Sequence, residues 1–179
     1  MNTQKTNTLI TIVGPTAIGK TALSIELANH FNTEIISCDS RQFYKEMTIG
    51  TAVPDSEELA AATHHFIQNK SIFEEYNVGQ FERDTLENLE VLFSKNPIQL
   101  MVGGSGLYVN AVLNGLDDFP DVDPSIREKL KQDLQDNGIE YLQSQLKTLD
   151  IESFETIAID NPHRIMRALE ICLGTQKPY

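Results

Sequence analysis

Residues 14–21 carry the pattern that most restricts the fold of this chain. They read Gly-Pro-Thr-Ala-Ile-Gly-Lys-Thr and match G-x-x-x-x-G-K-[ST], the phosphate-binding loop, or P-loop. An apolar, β-branched run, Thr8–Val13, precedes the loop, and apolar residues recur at a four-residue step after Lys20. Asn32-Thr33 then breaks the helical pattern before a second β-rich run, Glu34–Cys38. The sequence therefore predicts a strand, a phosphate-binding loop, a helix and a parallel second strand.

The alternation of strand and helix continues along the chain. His64–Ile67 is a candidate short strand, and Val78–Phe93 has the apolar periodicity of an amphipathic helix. Ile98–Val102 reads as a central strand that runs into Gly103-Gly104. We therefore expect an α/β fold of the P-loop type, with a parallel sheet flanked by helices.

A change of character after residue 115 predicts the domain organisation. Residues 1–115 form the α/β core, and residues 116–150 are acidic, amphipathic and interrupted at Asn137-Gly138. This pattern predicts a small insertion of two helices. Residues 151–179 are expected to return to the core.

The last helix has its own start and stop signals. Asn161 can cap a helix whose first residue is Pro162, and Gly174 is placed to end it. Arg164 and Arg167 are three residues apart and so share one face of that helix.

Composition limits the class of protein. The chain has 179 residues, 40% of them hydrophobic and 22% charged, which suits a globular fold with a buried core. It contains no apolar run of the roughly 18 residues that a membrane helix needs, so we expect a cytoplasmic protein. Cys38 and Cys172 fit no metal or disulfide spacing, so we expect free thiols. The net charge of −12 argues against indiscriminate nucleic-acid binding, although a local basic groove is compatible with it.

The loop predicts a bound diphosphate or triphosphate. Its glycines let backbone N–H groups surround phosphate oxygens, and the following helix adds a favourable dipole. Lys20 supplies a positive charge, and the Thr21 hydroxyl is a candidate ligand of Mg²⁺. The predicted phosphate-binding residues are Gly14, Pro15, Thr16, Ala17, Ile18, Gly19, Lys20 and Thr21.

Asp39 is the acidic residue best placed to join this site. It follows the second strand, at the carboxyl edge of the sheet where ligands of such folds bind. Residue type and position leave three roles open: a ligand of Mg²⁺, a general base, or a cap of the next turn.

Several motifs together resemble the tRNA dimethylallyltransferases over nearly the whole chain. The similarity combines the phosphate-binding loop with four further segments: Ile36–Gln42 with Tyr44, Met47–Ala52, Gly103–Tyr108, and Asp160–Arg164 with Arg167–Glu170. Members of this family are substantially longer, so the resemblance implies a C-terminally truncated chain with impaired activity.

The resemblance also implies a reaction and its participants. Family members transfer the dimethylallyl group of dimethylallyl diphosphate to the exocyclic N6 of the adenosine 3′ of a tRNA anticodon, with Mg²⁺ as cofactor and no obligate protein partner. The implied catalytic residues are Asp39, Lys20 and Thr21. The implied tRNA-binding residues are Asp39, Ser40, Arg41, Gln42, Ser105, Arg127, His163, Arg164, Ile165, Met166 and Arg167.

Other interpretations stay open from the residues alone. A nucleoside-monophosphate-type kinase also uses a phosphate-binding loop and arginines, and an adenine-nucleotide prenyltransferase or an inactive diphosphate-binding module would share the loop. Arg164 and Arg167 could bind RNA phosphates or pair with acids such as Glu170, and Arg127 could be an exposed ion pair. His64 and His65 would point to opposite faces of a strand, which argues against a shared metal ion.

Overall fold

The computed structural model describes residues 6–116 and 122–179. These residues form two compact units, Met1–Leu116 and Asp117–Tyr179. The first unit contains the phosphate-binding loop and the sheet, and the second is helical. The first residues of the predicted insertion, 117–121, lie outside the described ranges.

Twelve elements lie within the described ranges. The strands are β1 (Thr8–Val13), β2 (Ile35–Ser37), β3 (His64–His65) and β4 (Ile98–Gly103). The helices are α1 (Lys20–Phe31), α2 (Ser56–Ala61), α3 (Val78–Lys95), α4 (Gly106–Asn114), α5 (Pro124–Asn137), α6 (Ile139–Leu149), α7 (Ile151–Thr156) and α8 (Pro162–Thr175). The four predicted strands and the helices α1, α3, α5, α6 and α8 are confirmed, with bounds that shift by a few residues.

The four strands form one parallel sheet in the order β1-β4-β2-β3. The alternation of side chains along the strands gives the sheet two buried faces. On β2, Ile36 packs into a cluster with Phe43 and Phe81, whereas Ile35 packs on the other face with Ala28 of α1. The predicted α/β fold, a parallel sheet flanked by helices, is confirmed.

The order of the strands brings the loops after β1, β4 and β2 to one edge of the sheet. Close contact between β4 and β2 depends on Gly103, because a Cβ atom at this position would overlap the Cys38 carbonyl. The glycine therefore lets the ends of these two strands approach each other.

The second unit has its own apolar core. Leu130 of α5, Leu142 and Leu146 of α6, and Ile165 and Leu169 of α8 are fully buried or nearly so. We expected residues 151–179 to return to the α/β core, and the structure corrects this boundary. The apolar face of α8 supplies much of the core that α5 and α6 share, so these residues group with the second unit.

The start of α8 is as predicted, but its end differs. The Asn161 side chain accepts hydrogen bonds from the His163 and Arg164 amides, and Pro162 is the first helical residue. The helix continues through Gly174 to Thr175, and Gln176 adopts the left-handed conformation that ends it. A Cβ atom at Gly174 would overlap Val122, so the glycine serves helix packing rather than helix termination.

Three short helices were not predicted. Each of α2, α4 and α7 has nine residues or fewer, which is too short for an apolar period to stand out. The signals that were available are local caps, such as the capping box of Asp55 and Glu58 at the start of α2.

Candidate phosphate-binding pocket and arginine cluster

The phosphate-binding loop lies between β1 and α1, as the motif requires. Gly19 is the N-cap of α1 with φ 93°, and Ala17 also has a positive φ of 64°. Positive φ values turn the backbone sharply into the helix, and the first amides of any helix lack an intrahelical acceptor. The loop and the start of α1 therefore have the geometry of an anion-binding site.

Lys20 is the first residue of α1, and its Nζ atom donates a hydrogen bond to the Pro15 carbonyl at 2.7 Å. This contact folds the side chain back over the loop that precedes it. The ammonium group is thus held beside the loop, and its contact with phosphate oxygens stays a prediction of the motif.

A pocket of about 290 Å³ adjoins this loop at the carboxyl edge of the sheet. Its polar lining includes Lys20, Thr21, Ser24, Asp39, Gln42 and His64. Its apolar lining includes Ala52, Pro54, Ile67 and Val102. The pocket therefore joins a cationic, hydroxyl-bearing end to an apolar wall, with a carboxylate also in its lining.

A second cavity of about 550 Å³ is larger but lies away from this chemistry. It is lined by the turn after α1, the segment between α2 and β3, and the end of α3, including Asn32, Glu34, Thr63 and Lys95. Ligands of parallel α/β sheets bind at the carboxyl ends of the strands. The smaller pocket, which contains the phosphate-binding loop, is therefore the candidate functional site.

Asp39 follows β2 and lines the same pocket as Lys20 and Thr21. Its Oδ1 atom accepts a hydrogen bond of 3.3 Å from the Arg41 amide, and its carbonyl accepts one of 2.9 Å from the Gln42 amide. Asp39 thus caps the turn that follows the strand and also lines the pocket, and its roles as general base or Mg²⁺ ligand stay predictions.

The neighbouring Cys38 is buried and has no exposed surface. Burial, together with the adjacent carboxylate of Asp39, raises the pKa of the Cys38 thiol to about 12. The thiol is therefore protonated at neutral pH and is not the nucleophile of this site.

Gln42 links the strands to the loop that covers the pocket. Its Oε1 atom accepts a hydrogen bond of 2.9 Å from Ser37 Oγ, and its Nε2 atom donates to the Ala52 carbonyl at 2.7 Å. These contacts hold the segment around Thr51 and Ala52 beside β2. The side chain of Gln42 therefore stabilises the loop next to β2. Its contact with tRNA stays what the resemblance implies.

Ser40 and Ser105 connect the loops that follow β2 and β4. Ser105 Oγ accepts a hydrogen bond of 3.0 Å from the Ser40 amide, and the two hydroxyl oxygens are 3.2 Å apart. Arg41, next to them, is exposed. Of the residues predicted to contact tRNA, Asp39, Ser40, Arg41, Gln42 and Ser105 therefore come together at one edge of the first unit.

The remaining predicted tRNA-binding residues belong to the second unit. His163 and Arg164 lie in the first turn of α8 and are exposed. Ile165 and Met166 are 0% and 5% exposed and pack in the core of the second unit. The prediction is corrected for these two side chains, because they lie on the face of α8 that is turned towards α5 and α6.

Arg127 and Arg167 share one carboxylate. The Nη1 atom of each lies 3.1 Å from Glu170 Oε2, which links α5 to α8. The sequence left binding to phosphate and pairing with an acid as alternatives for Arg167, and the structure shows the pairing. The side chains of both arginines remain about two-fifths exposed.

His64 lines the pocket, which the sequence did not predict. Its Nδ1 atom is 2.8 Å from the Ala62 carbonyl, an acceptor only, so Nδ1 carries the proton. The Nε2 atom is buried with no hydrogen-bond partner among the described residues. Burial lowers the pKa of His64, even though the Ala62 carbonyl and the charge of Glu58 act in the opposite direction, so the imidazole is neutral at pH 7. Its neighbour His65 instead contacts Glu34 at 2.7 Å, consistent with the expectation that the two histidines face apart.

The oxygen donors of the pocket fit a magnesium ion. Thr21 and Asp39 both line it, and Mg²⁺ prefers hydroxyl, carboxylate and phosphate oxygens. Within residues 6–116 and 122–179 there is no cluster of three or more histidine, cysteine or acidic side chains able to hold a metal. Such a site would therefore be completed by substrate phosphates and water, as is usual for Mg²⁺.

None of the described helices is long and apolar enough to cross a membrane.

Comparisons with known proteins agree on one family. The model of the IPP transferase family matches residues 42–179, a range that begins after β2 and does not include the phosphate-binding loop. A tRNA dimethylallyltransferase of Flavobacterium psychrophilum is 62% identical over an alignment that covers 97% of this chain and 58% of that relative. The chain thus spans little more than half the length of the curated relatives it matches.

Solved structures show the same relationship. The full-length tRNA isopentenylpyrophosphate transferase of Bacillus halodurans is 36% identical, with a TM-score of 0.61, over 97% of this chain and 57% of that one. A eukaryotic dimethylallyltransferase captured acting on tRNA is 29% identical, with a TM-score of 0.79, over 95% of this chain and 42% of that one.

Proposed function

The chain belongs to the IPP transferase family, and from that membership we propose that it holds the substrate pocket of a tRNA dimethylallyltransferase. The reaction is transfer of a dimethylallyl group from dimethylallyl diphosphate to the exocyclic N6 of the adenosine 3′ of a tRNA anticodon, with release of diphosphate. The names of the relatives support the reaction class. The observation that carries the proposal is that Lys20, Thr21 and Asp39 line one pocket that also has an apolar wall.

Each part of the pocket suits one part of this reaction. The adenine N6 forms a bond to the allylic carbon while the bond from that carbon to the diphosphate oxygen breaks. Lys20 and the amides of the phosphate-binding loop stabilise the charge that grows on the departing diphosphate. The apolar lining formed by Ala52, Pro54, Ile67 and Val102 accommodates the five-carbon chain.

Asp39 takes the proton that N6 loses. An exocyclic amine is a poor nucleophile, so a carboxylate that accepts its hydrogen bond and then its proton assists the attack. The turn contact of Asp39 Oδ1 with the Arg41 amide fixes the side chain for this task. When bound, Mg²⁺ would neutralise diphosphate charge, with the Thr21 hydroxyl as the protein oxygen best placed to hold it.

The tRNA contacts are proposed for polar groups in both units that are exposed or partly exposed. In the first unit these are Ser40, Arg41 and Ser105, beside the pocket. In the second unit they are Arg127, His163, Arg164 and Arg167. Phosphate contacts of this kind orient an RNA without reading its sequence. A tRNA substrate and two buried free thiols suit the cytoplasm, which we propose as the compartment.

A transfer assay tests the function. The purified chain is incubated with Mg²⁺ and labelled dimethylallyl diphosphate, together with either unmodified tRNA or AMP, and in parallel with ATP and AMP. We expect label in tRNA, one diphosphate released per label, and loss of both in Lys20→Ala. Label in AMP would indicate an adenine-nucleotide prenyltransferase, and ADP formation would indicate a kinase. Label in neither acceptor, from a folded chain that binds diphosphate, would contradict the proposal.

A further inference from the structure

Glu170 holds two arginines from different helices through a single oxygen atom. Glu170 Oε2 lies 3.1 Å from Nη1 of Arg127 on α5 and 3.1 Å from Nη1 of Arg167 on α8. The two Nη1 atoms can therefore lie no further apart than twice that distance. Two guanidinium groups this close repel each other unless an anion lies between them.

The Glu170 side chain is buried, whereas the side chains of the two arginines are partly exposed. The Glu170 side chain is 6% exposed, whereas those of Arg127 and Arg167 are 43% and 41% exposed. The carboxylate therefore acts from inside the second unit, and the two cationic side chains extend to its surface. A carboxylate this deeply buried is tolerated only when it is paired, which explains why both arginines contact it.

The arrangement limits the freedom of two flexible side chains. A free arginine loses rotamer entropy when a ligand immobilises it. An arginine already held by Glu170 has lost part of that freedom before the ligand binds. The entropy lost on binding is therefore smaller, and the affinity is higher. A guanidinium offers five N–H donors in a planar fork, whose geometry matches phosphate oxygens.

The local charge selects an anionic ligand. Two arginines contact the single Glu170 carboxylate, and exposed Arg164 lies one helical turn before Arg167. This cluster stands out in a chain with a net charge of −12, where binding of nucleic acid depends on such local cationic groups.

We infer that Glu170 is a positioning residue that holds Arg127 and Arg167 together to bind a backbone phosphate of the tRNA. This inference rests on the proposed function, since tRNA is the phosphate-bearing partner that the function supplies. Glu170 itself, being buried, does not contact the RNA. It acts through the two guanidinium groups.

Positioning and simple charge attraction predict opposite effects of Glu170→Gln on the affinity for tRNA. Glu170→Gln makes the cluster more positive by one charge, so attraction alone predicts tighter tRNA binding. Positioning predicts weaker binding, by about tenfold, since the arginines separate when the shared carboxylate is lost. Glu128→Gln is the matched control: it makes the same change of charge beside Arg127, but Glu128 is 70% exposed and forms an ion pair with Lys131. We expect it to change the affinity by less than about twofold.

The measurements are the tRNA and inorganic-diphosphate dissociation constants of the purified chain at fixed ionic strength. We expect Glu170→Gln to weaken tRNA binding and leave diphosphate binding unchanged, since the diphosphate is proposed to bind in the first unit. In an Arg127→Gln/Arg167→Gln background, Glu170→Gln should have no further effect, because Glu170 acts through those two side chains. Tighter or unchanged tRNA binding by Glu170→Gln, or an equal loss in the double-variant background, overturns the inference.

Arg127→Lys keeps the inference falsifiable even if Glu170→Gln fails to fold. It retains the charge at a half-exposed position but loses the planar fork, so we expect tRNA binding to weaken severalfold. Unchanged binding by Arg127→Lys would overturn the inference. Failure of the inference can be told apart from failure of the proposed function. If the wild-type chain prenylates tRNA and these variants bind tRNA normally, the positioning role alone is contradicted. If the wild-type chain binds no tRNA, both the positioning role and the proposed function are contradicted.

Discussion

The Ser105 hydroxyl accepts a hydrogen bond of 3.0 Å from the Ser40 amide, which joins the loop after β4 to the loop after β2. The residues are 65 positions apart in the chain and meet because β4 lies beside β2 in the sheet. Asp39 directly precedes Ser40. The contact therefore supports the position of the proposed catalytic carboxylate.

Ser105→Ala tests this support. The variant leaves the Ser40 amide without its acceptor, which should lower the free energy of unfolding by about 1 kcal/mol. It should also slow dimethylallyl transfer while leaving diphosphate affinity unchanged. Chemical denaturation and the transfer assay measure the two effects. Ser94→Ala is the control, since the exposed Ser94 hydroxyl donates to the Val91 carbonyl of its own helix. Equal behaviour of the two variants would show that the link between the loops is unimportant.

Two glycines of the Gly103–Gly106 segment should respond oppositely to alanine. Gly103→Ala places a methyl group onto the Cys38 carbonyl and should lower the free energy of unfolding by about 3 kcal/mol. A Cβ atom at Gly106 would meet none of the described residues within 4 Å, and Gly106 lies in the first turn of α4, so the stability of Gly106→Ala should be unchanged or slightly higher. Chemical denaturation of both variants provides the comparison. A stable Gly103→Ala protein would show that β4 and β2 can separate at little cost.

Lys20→Ala should weaken the binding of inorganic diphosphate by about 10- to 100-fold, because it removes a charged donor from the phosphate-binding loop. Isothermal titration calorimetry measures the dissociation constant directly. Lys45→Ala removes an exposed lysine of the same unit and should leave the constant unchanged. If both variants bound diphosphate as tightly as the wild type, the loop would not be the phosphate site.

The neutral state of His64 should make stability depend on pH. Burial lowers its pKa in the folded chain below the ordinary value of 6.5, so near that pH the unfolded chain binds more protons. The stability contributed by His64 is therefore complete above about pH 6.5 and declines as the pH falls towards its folded pKa. Melting temperatures at pH 7.5, 6.5 and 5.5 should fall less for His64→Gln than for the wild type.

His30→Gln is the control for this pH dependence, since His30 is exposed on α1. Its melting temperatures should follow those of the wild type across the same range. A His64→Gln variant that also follows the wild type would show that burial of this imidazole does not influence stability.

Local patterns predicted much of this site because its parts follow directly in sequence. Residues 14–21 form a contiguous motif, and Asp39 stands immediately after a recognisable strand, so their meeting required only a parallel sheet. The role of His64 was not predictable in this way. Its position in the pocket depends on β3 pairing with β2, and β3 has only two residues.

The second unit shows the same limit for α8. The Asn161-Pro162 start of the helix is local and was predicted correctly, whereas the buried face occupied by Ile165 and Met166 depends on α5 and α6. The shared contact of Arg127 and Arg167 with Glu170 likewise needs two helices that are far apart in sequence. Such contacts are set by tertiary packing, which no short motif encodes.

A single-turnover experiment with Asp39→Asn tests most directly whether this pocket joins a diphosphate site to a proton acceptor. The variant removes the carboxylate charge and keeps the shape, so dimethylallyl diphosphate should bind as in the wild type. Transfer to tRNA should slow by at least about 100-fold, as expected for loss of a general base. Glu90→Gln, an exposed change of the same kind on α3, should transfer at the wild-type rate. Wild-type transfer by Asp39→Asn would contradict the proposed chemistry.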